Sequence, residues 1–71
     1  DPAYGEYGYN RSEAKDKGDR LYEQGYEAEQ EGSFEIAKGK FREALVAYEF
    51  AQYQKGKDKV WKALKKLEGR G

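Results

Sequence analysis

The chain has 71 residues, with 14 basic and 14 acidic side chains and a formal net charge of zero at pH 7. This length allows one domain with a thin core. The chain has no cysteine and no histidine, which excludes disulfides, thiolate zinc sites and the usual general base near neutral pH. It also has no apolar run of the roughly 20 residues that a membrane-spanning helix needs.

The zero net charge conceals two oppositely charged parts. Residues 1–54 carry 7 basic and 12 acidic side chains, a net charge of −5, and residues 55–71 carry 7 basic and 2 acidic ones, a net charge of +5. The basic end has two interpretations. It contacts nucleic acid or an anionic membrane, or it neutralises an acidic helix beside it.

The N-terminal residues 1–11 are rich in tyrosine and glycine, and Pro2, Gly5 and Gly8 all oppose helix formation. We predict a flexible segment here, followed by one helical domain over residues 12–69. The tyrosines of this segment have two candidate contacts, the surface of the domain or a partner.

A first helix is predicted near residues 12–31. Asn10 and Glu13 have the spacing of a capping box. Small and apolar residues then recur at steps of three and four, which is one helical stripe: Ala14, Gly18, Leu21, Gly25 and Ala28. The two glycines each cost roughly 1 kcal/mol of helix stability relative to alanine, so we expect them to permit close approach of a second helix backbone.

A second helix is predicted near residues 34–54. Gly32 suits a left-handed C-terminal cap and Ser33 suits the next N-cap. The following apolar stripe is dense: Phe34, Ala37, Phe41, Ala44, Leu45, Tyr48 and Ala51. Gly56 is the next stop signal.

A third helix is predicted near residues 58–68, with Asp58 as its cap. Val60, Trp61, Leu64 and Leu67 lie on one side of it, and lysines occupy the rest. Short connections at 32–33 and 56–57 make successive helices antiparallel neighbours. The predicted fold class is therefore all-α, a three-helix bundle.

Residues 21–45 resemble a tetratricopeptide repeat, with Gly25 at the family's glycine and Gly32, Ser33 and Phe34 at its inter-helix turn. Ala37, Phe41, Ala44 and Leu45 match its second-helix pattern. Glu49 stands where the family has its closing proline, so the second helix is expected to run on. The resemblance implies an antiparallel helical hairpin, with the third helix capping its open face.

The same turn and the Ala-Phe-Ala-Leu pattern also resemble the MIT domain, a three-helix bundle. Its second helix continues as Tyr48, Ala51 and Tyr53 do here, and its third helix is generally longer than residues 58–68. Both families bind short peptide segments in helical grooves, so either resemblance implies a binding function.

The tetratricopeptide resemblance implies a partner-binding face on the first helix. The residues on this face are Asp19, Tyr22, Glu23, Tyr26, Glu29 and Gln30. Carboxylates beside tyrosine rings suit a basic or extended peptide. The alternative is that Tyr22 and Tyr26 pack at the edge of the core.

Neither a nucleophile–base pair nor a Gly-rich phosphate loop is present, and Glu27, Glu29, Glu31 and Glu35 are best interpreted as a solvated acidic face. We expect no catalytic activity, cofactor or metal. The favoured function is a protein-protein interaction module of the adaptor or assembly-factor type, and self-association is left open. The alternatives are a basic-helix binder of nucleic acid or anionic membrane, and a small structural subunit of a larger complex.

The stripes predict a core centred on Phe41. Its other predicted members are Leu21, Ala37, Ala44, Leu45, Tyr48, Leu64 and Leu67. We expect Phe41→Ala to lower the free energy of unfolding by about 3–5 kcal/mol, which would unfold much of so small a domain. A thermal melt that matches the wild type would show that the helix faces are assigned wrongly.

Overall fold

The computed structural model describes residues 10–70, which form three α-helices. Helix α1 spans Arg11–Gln30, α2 spans Phe34–Ala51 and α3 spans Gln54–Arg70. Over this range there is no strand, so the predicted all-α three-helix bundle is confirmed. Residues 1–9 of the predicted flexible segment lie outside the described residues. None of the three helices is long and apolar enough to cross a membrane.

The first two helix boundaries follow from local caps. Asn10 Oδ1 accepts a hydrogen bond of 2.8 Å from the backbone N–H of Glu13, as the capping spacing predicts. At the other end of α1, Gly32 has a φ of +84°, the left-handed region. The N–H of Ser33 then donates to the carbonyl of Ala28 at 2.9 Å, which closes the helix end. Ser33 precedes α2 as predicted, but its hydroxyl makes no capping bond.

The predicted junction between the second and third helices is wrong. Helix α2 ends at Ala51 because Gln52 adopts a left-handed conformation with φ 55°. Helix α3 then begins at Gln54, so Gly56 lies inside its first turn instead of ending α2. Asp58 is not the cap, since it lies within α3 and accepts a hydrogen bond from Gln54 Nε2 at 2.9 Å.

Helix α2 is the central element. Both α1 and α3 pack against it, whereas α1 and α3 touch each other at few points. A shallow groove therefore remains between α1 and α3, with α2 beneath it.

Two aromatic side chains of α2 make the core. Phe41 is fully buried, and a Cβ atom on Gly25 would lie 2.7 Å from its ring. Tyr48 is also fully buried, and Cβ atoms on Gly18 and Gly56 would lie 2.7 and 2.6 Å from its ring. The glycines of α1 thus admit aromatic rings, where we had expected the backbone of a second helix.

Most of the predicted core is buried: Ala37, Phe41, Ala44, Tyr48, Leu64 and Leu67. Leu21 and Leu45 are only half-buried. Five further residues belong to the buried set: Ala14, Ala28, Ala47, Ala51 and Val60. Trp61 was predicted on the apolar side of the third helix, yet it is 57% exposed. One residue turns the helix by about 100°, which carries Trp61 past the face that Val60, Leu64 and Leu67 bury.

Alanine substitutions at the glycines distinguish the effect of core packing on stability from the effect of helix propensity. We expect Gly18→Ala and Gly56→Ala to lower the free energy of unfolding by about 1–3 kcal/mol, because the new methyl group would clash with the buried Tyr48 ring. Gly39 has nothing within 4 Å of its Cβ position, so Gly39→Ala should instead stabilise by about 0.5–1 kcal/mol. Urea unfolding followed by circular dichroism measures all three. Stabilisation by Gly18→Ala would contradict the packing interpretation.

Candidate functional site

The groove between α1 and α3, here the tyrosine groove, combines tyrosines with charged side chains of both signs. Its α1 side carries Lys15, Asp19, Tyr22, Glu23 and Tyr26, and the chain beyond α2 contributes Tyr53 and Lys59.

Four of the six residues predicted from sequence line this groove: Asp19, Tyr22, Glu23 and Tyr26. Glu29 and Gln30 lie on the same helix, near its end, and are not among the lining residues. The prediction missed Lys15, Tyr53 and Lys59. Lys15 lies one turn before Asp19 on the same helix face, so the same reasoning could have predicted it. Tyr53 was missed because it was predicted to lie within the second helix, and Lys59 was missed because the binding face was predicted from the first helix alone.

Asp19 links the groove to the core. The hydroxyl of the buried Tyr48 donates a hydrogen bond of 2.5 Å to Asp19 Oδ1. Lys15 Nζ donates to the other carboxylate oxygen, Oδ2, at 3.0 Å. Both carboxylate oxygens thus have a protein partner, and the carboxylate holds Tyr48 and Lys15 in place.

The pKa values of these groups follow from the contacts. Burial raises the pKa of Tyr48 well above its usual value, and the hydrogen bond to Asp19 raises it further. For Asp19, partial burial acts to raise the pKa, but the hydrogen bonds from Tyr48 and Lys15 outweigh it, helped by the charges of Lys15 and Lys59. The pKa of Asp19 therefore lies below its usual value, and the carboxylate is ionised at neutral pH.

Lysine ammonium groups lie over tyrosine rings in the groove. Lys59 Nζ is 4.4 Å from the centroid of the Tyr22 ring and 5.9 Å from that of Tyr48. Lys15 Nζ is 4.9 Å from the Tyr53 centroid. Both distances to the nearer ring are within cation–π range, so the lysines bring α1 and the start of α3 together without an ion pair between them.

The two predicted tyrosines of α1 have different surroundings. The Tyr22 ring is half-buried and packs against Phe41, with 5.4 Å between ring centroids. The core-edge alternative therefore describes the position of Tyr22. Tyr26 is 52% exposed, so its ring is accessible to a partner.

A second groove lies between α1 and α2, and it is mainly apolar. Its lining residues are Ala14, Lys17, Leu21, Glu43, Val46, Ala47 and Phe50. Val46 is highly exposed, and so is Ile36 on the same helix. The surface beside Trp61 on α3 forms a third depression.

The ion pairs of the described residues bear on the predicted neutralisation of α1 by α3. Within residues 10–70 the pairs are Lys15–Asp19, Lys38–Glu35 and Lys57–Glu49. None of these pairs joins α1 to α3. Lys59 of α3 instead contacts α1 through the Tyr22 ring and acts on Asp19 through its charge.

No protein-family model, curated protein or solved structure matches this chain. The functional argument therefore depends on the geometry of these residues.

Asp19 gives the stability of the fold a defined pH dependence. Its pKa is lower in the folded chain than the unfolded value of about 3.9. Its contribution to stability is therefore fully present above about pH 4 and is lost as pH falls through the lower folded-state pKa. Asp19→Asn keeps an acceptor for Tyr48 but removes the charge. We expect this variant to be less stable than the wild type at pH 7, by about 1 kcal/mol.

The stability difference between Asp19→Asn and the wild type should shrink as pH falls from about 4 towards about 2. Urea unfolding at a series of pH values measures it. Asp16→Asn, which removes an exposed carboxylate from the same helix without removing a bond to Tyr48, is the matched control for the loss of one charge. A constant gap for Asp19→Asn would contradict the assignment.

Proposed function

We propose that this chain is a non-catalytic protein-interaction module that binds a peptide or protein segment in the tyrosine groove. One observation carries the proposal. The accessible ring of Tyr26 lies in a groove between two helices, with Glu23 exposed on one side and Lys59 exposed on the other.

Tyr26 is suited to be the anchor of such a contact. A tyrosine offers a large flat apolar surface and a polar tip, and it loses little conformational entropy when it is covered. Aromatic anchors of this kind often carry most of the binding free energy of an interface. Here Glu23 and Lys59 lie on either side of Tyr26, and their charges can orient a ligand.

The groove is also preorganised. Asp19 is held by Tyr48 and Lys15, and Tyr22 is packed on Phe41 between the groove and the core. A partner that binds here would not have to order these side chains, which lowers the entropic cost of association. The groove is lined by two lysines as well as by two carboxylates: Lys15, Lys59, Asp19 and Glu23. We therefore favour a segment with both positive and negative side chains over a purely basic peptide.

Two family likenesses are part of this proposal. The tetratricopeptide likeness is supported by the contact of Gly25 with the Phe41 ring and by the left-handed turn at Gly32. The MIT likeness is supported by α3, which at 17 residues is longer than the predicted 58–68. Both families bind segments in grooves between helices, as proposed here.

Tyr26→Ser tests the proposal against Trp61→Ser as the matched control. Both substitutions remove an exposed aromatic ring, but Trp61 lies outside the tyrosine groove. Peptides selected from a random displayed library on the immobilised chain supply the probe. We expect Tyr26→Ser to weaken binding of the selected peptide about tenfold or more, a loss of about 1.4 kcal/mol, and Trp61→Ser to leave it unchanged. Calorimetric titration measures both affinities.

Amide chemical shifts of the labelled chain locate the bound peptide. Shift changes centred on Tyr26, Glu23 and Lys59 are expected. A peptide whose effects centre on the apolar groove between α1 and α2, or whose affinity is indifferent to Tyr26→Ser, would refute the groove assignment.

A further inference from the structure

The two sides of the tyrosine groove carry opposite charge. On α1, exposed residues at spacings of four, three and four share one helix face with Glu23. This acidic wall consists of Asp16, Arg20, Glu23 and Glu27. On α3, exposed residues at the same spacings share one face with Lys59. This basic wall consists of Lys55, Lys59, Lys62 and Lys66.

The charged side chains of both walls form no ion pair within the described residues. None of the lysines of the basic wall lies within 4.0 Å of a carboxylate, and none of the carboxylates of the acidic wall lies within that distance of a basic group. The two walls therefore offer eight exposed charges, with a net charge of −2 on one and +4 on the other, along helix segments of about 16 Å each.

This arrangement is complementary to itself. A two-fold rotation about an axis that runs along the groove, parallel to α1 and α3, places the acidic wall of each copy on the basic wall of the other, and both contacts are then identical. We propose that the segment bound in the tyrosine groove is a second copy of this chain, and that the groove is the interface of a closed homodimer. The inference rests on the proposed function of the groove.

The other occupants fit the charges less well. A nucleic acid or an anionic membrane would be attracted by the basic wall but repelled by the acidic wall beside it. A uniformly basic peptide would be attracted by the acidic wall but repelled by the basic wall. A second copy satisfies both walls at once, and because the whole chain has zero net charge, two copies experience no overall repulsion as they approach.

The interface is polar apart from the tyrosines, which sets its strength. Exposed ion pairs are individually weak and are screened by salt. The homodimer is therefore weak, and its dissociation constant rises about tenfold or more between about 50 mM and about 500 mM salt. Tyr26, half-exposed in the single chain, becomes covered in the dimer.

Reciprocal charge reversal tests the inference by sedimentation of the whole chain at low salt. One variant combines Glu23→Lys with Glu27→Lys, so that both walls are basic. The other combines Lys62→Glu with Lys66→Glu, which lowers the net charge of the basic wall from +4 to zero and so removes its attraction for the acidic wall. We expect each variant alone to lose self-association at least tenfold and an equimolar mixture of the two to restore it. Circular dichroism confirms that each variant is folded.

A matched control separates the walls from net charge. Arg42→Glu combined with Lys65→Glu makes the same charge change as Lys62→Glu with Lys66→Glu, at exposed residues outside both walls. This variant should dimerise within about threefold of the wild type. Equal loss in this control would overturn the assignment. So would a wild-type dimer that neither wall variant disrupts, or assemblies larger than two copies, since a two-fold interface closes on itself.

Failure of this inference is distinguishable from failure of the proposed function. A wild-type chain that stays monomeric at low salt, yet binds a selected peptide in a Tyr26-dependent way, overturns the homodimer and leaves the groove function standing. A monomer without Tyr26-dependent peptide binding refutes both. Salt-sensitive binding of a single-stranded oligonucleotide that Lys62→Glu with Lys66→Glu abolishes, with no dimer present, would assign the basic wall to nucleic acid instead.

Discussion

The structure depends on the placement of one ring, that of Tyr48, between two glycines. Gly18 of α1 and Gly56 of α3 each bring bare backbone against this ring, at distances that leave no room for a Cβ atom. The hydroxyl at the far end of the ring reaches Asp19 and so satisfies the polar atom that burial would otherwise isolate. One side chain of the central helix thereby joins all three helices.

This arrangement explains how a chain with few large aliphatic residues forms a core. The buried set consists largely of alanines, with Phe41 and Tyr48 as its largest members. Small residues let the helices approach closely, and the two rings occupy the space between them. In the same arrangement α1 and α3 pack mainly on α2 and contact each other at few points. The tyrosine groove is thus a consequence of the core.

Core and groove share residues, which connects stability to the proposed binding function. Asp19 anchors Tyr48 from the groove side, and Lys59 lies over the rings of both Tyr22 and Tyr48. These contacts hold Asp19 and Tyr22 at the groove, and the exposed ring of Tyr26 lies beside them. The acidic wall and the basic wall lie on opposite sides of the groove. This charge pattern is the basis for the proposed partner, a second copy of the chain whose walls face those of the first with opposite charge.

The sequence by itself determined the features that depend on neighbours along the chain. The cap at Asn10, the left-handed turn at Gly32, the helical class and most of the buried stripe on α2 were predicted, since caps and periodicity act within a few residues. Four of six groove residues followed from one helix face. The start of α3, the burial of Gly56 and the places of Tyr53 and Lys59 were decided only by the tertiary structure. A glycine can end a helix, or it can lie within a helix and leave room for an aromatic ring. Gly56 has the second role because it packs on the ring of Tyr48, which lies on the preceding helix and contacts Gly56 only in the folded chain.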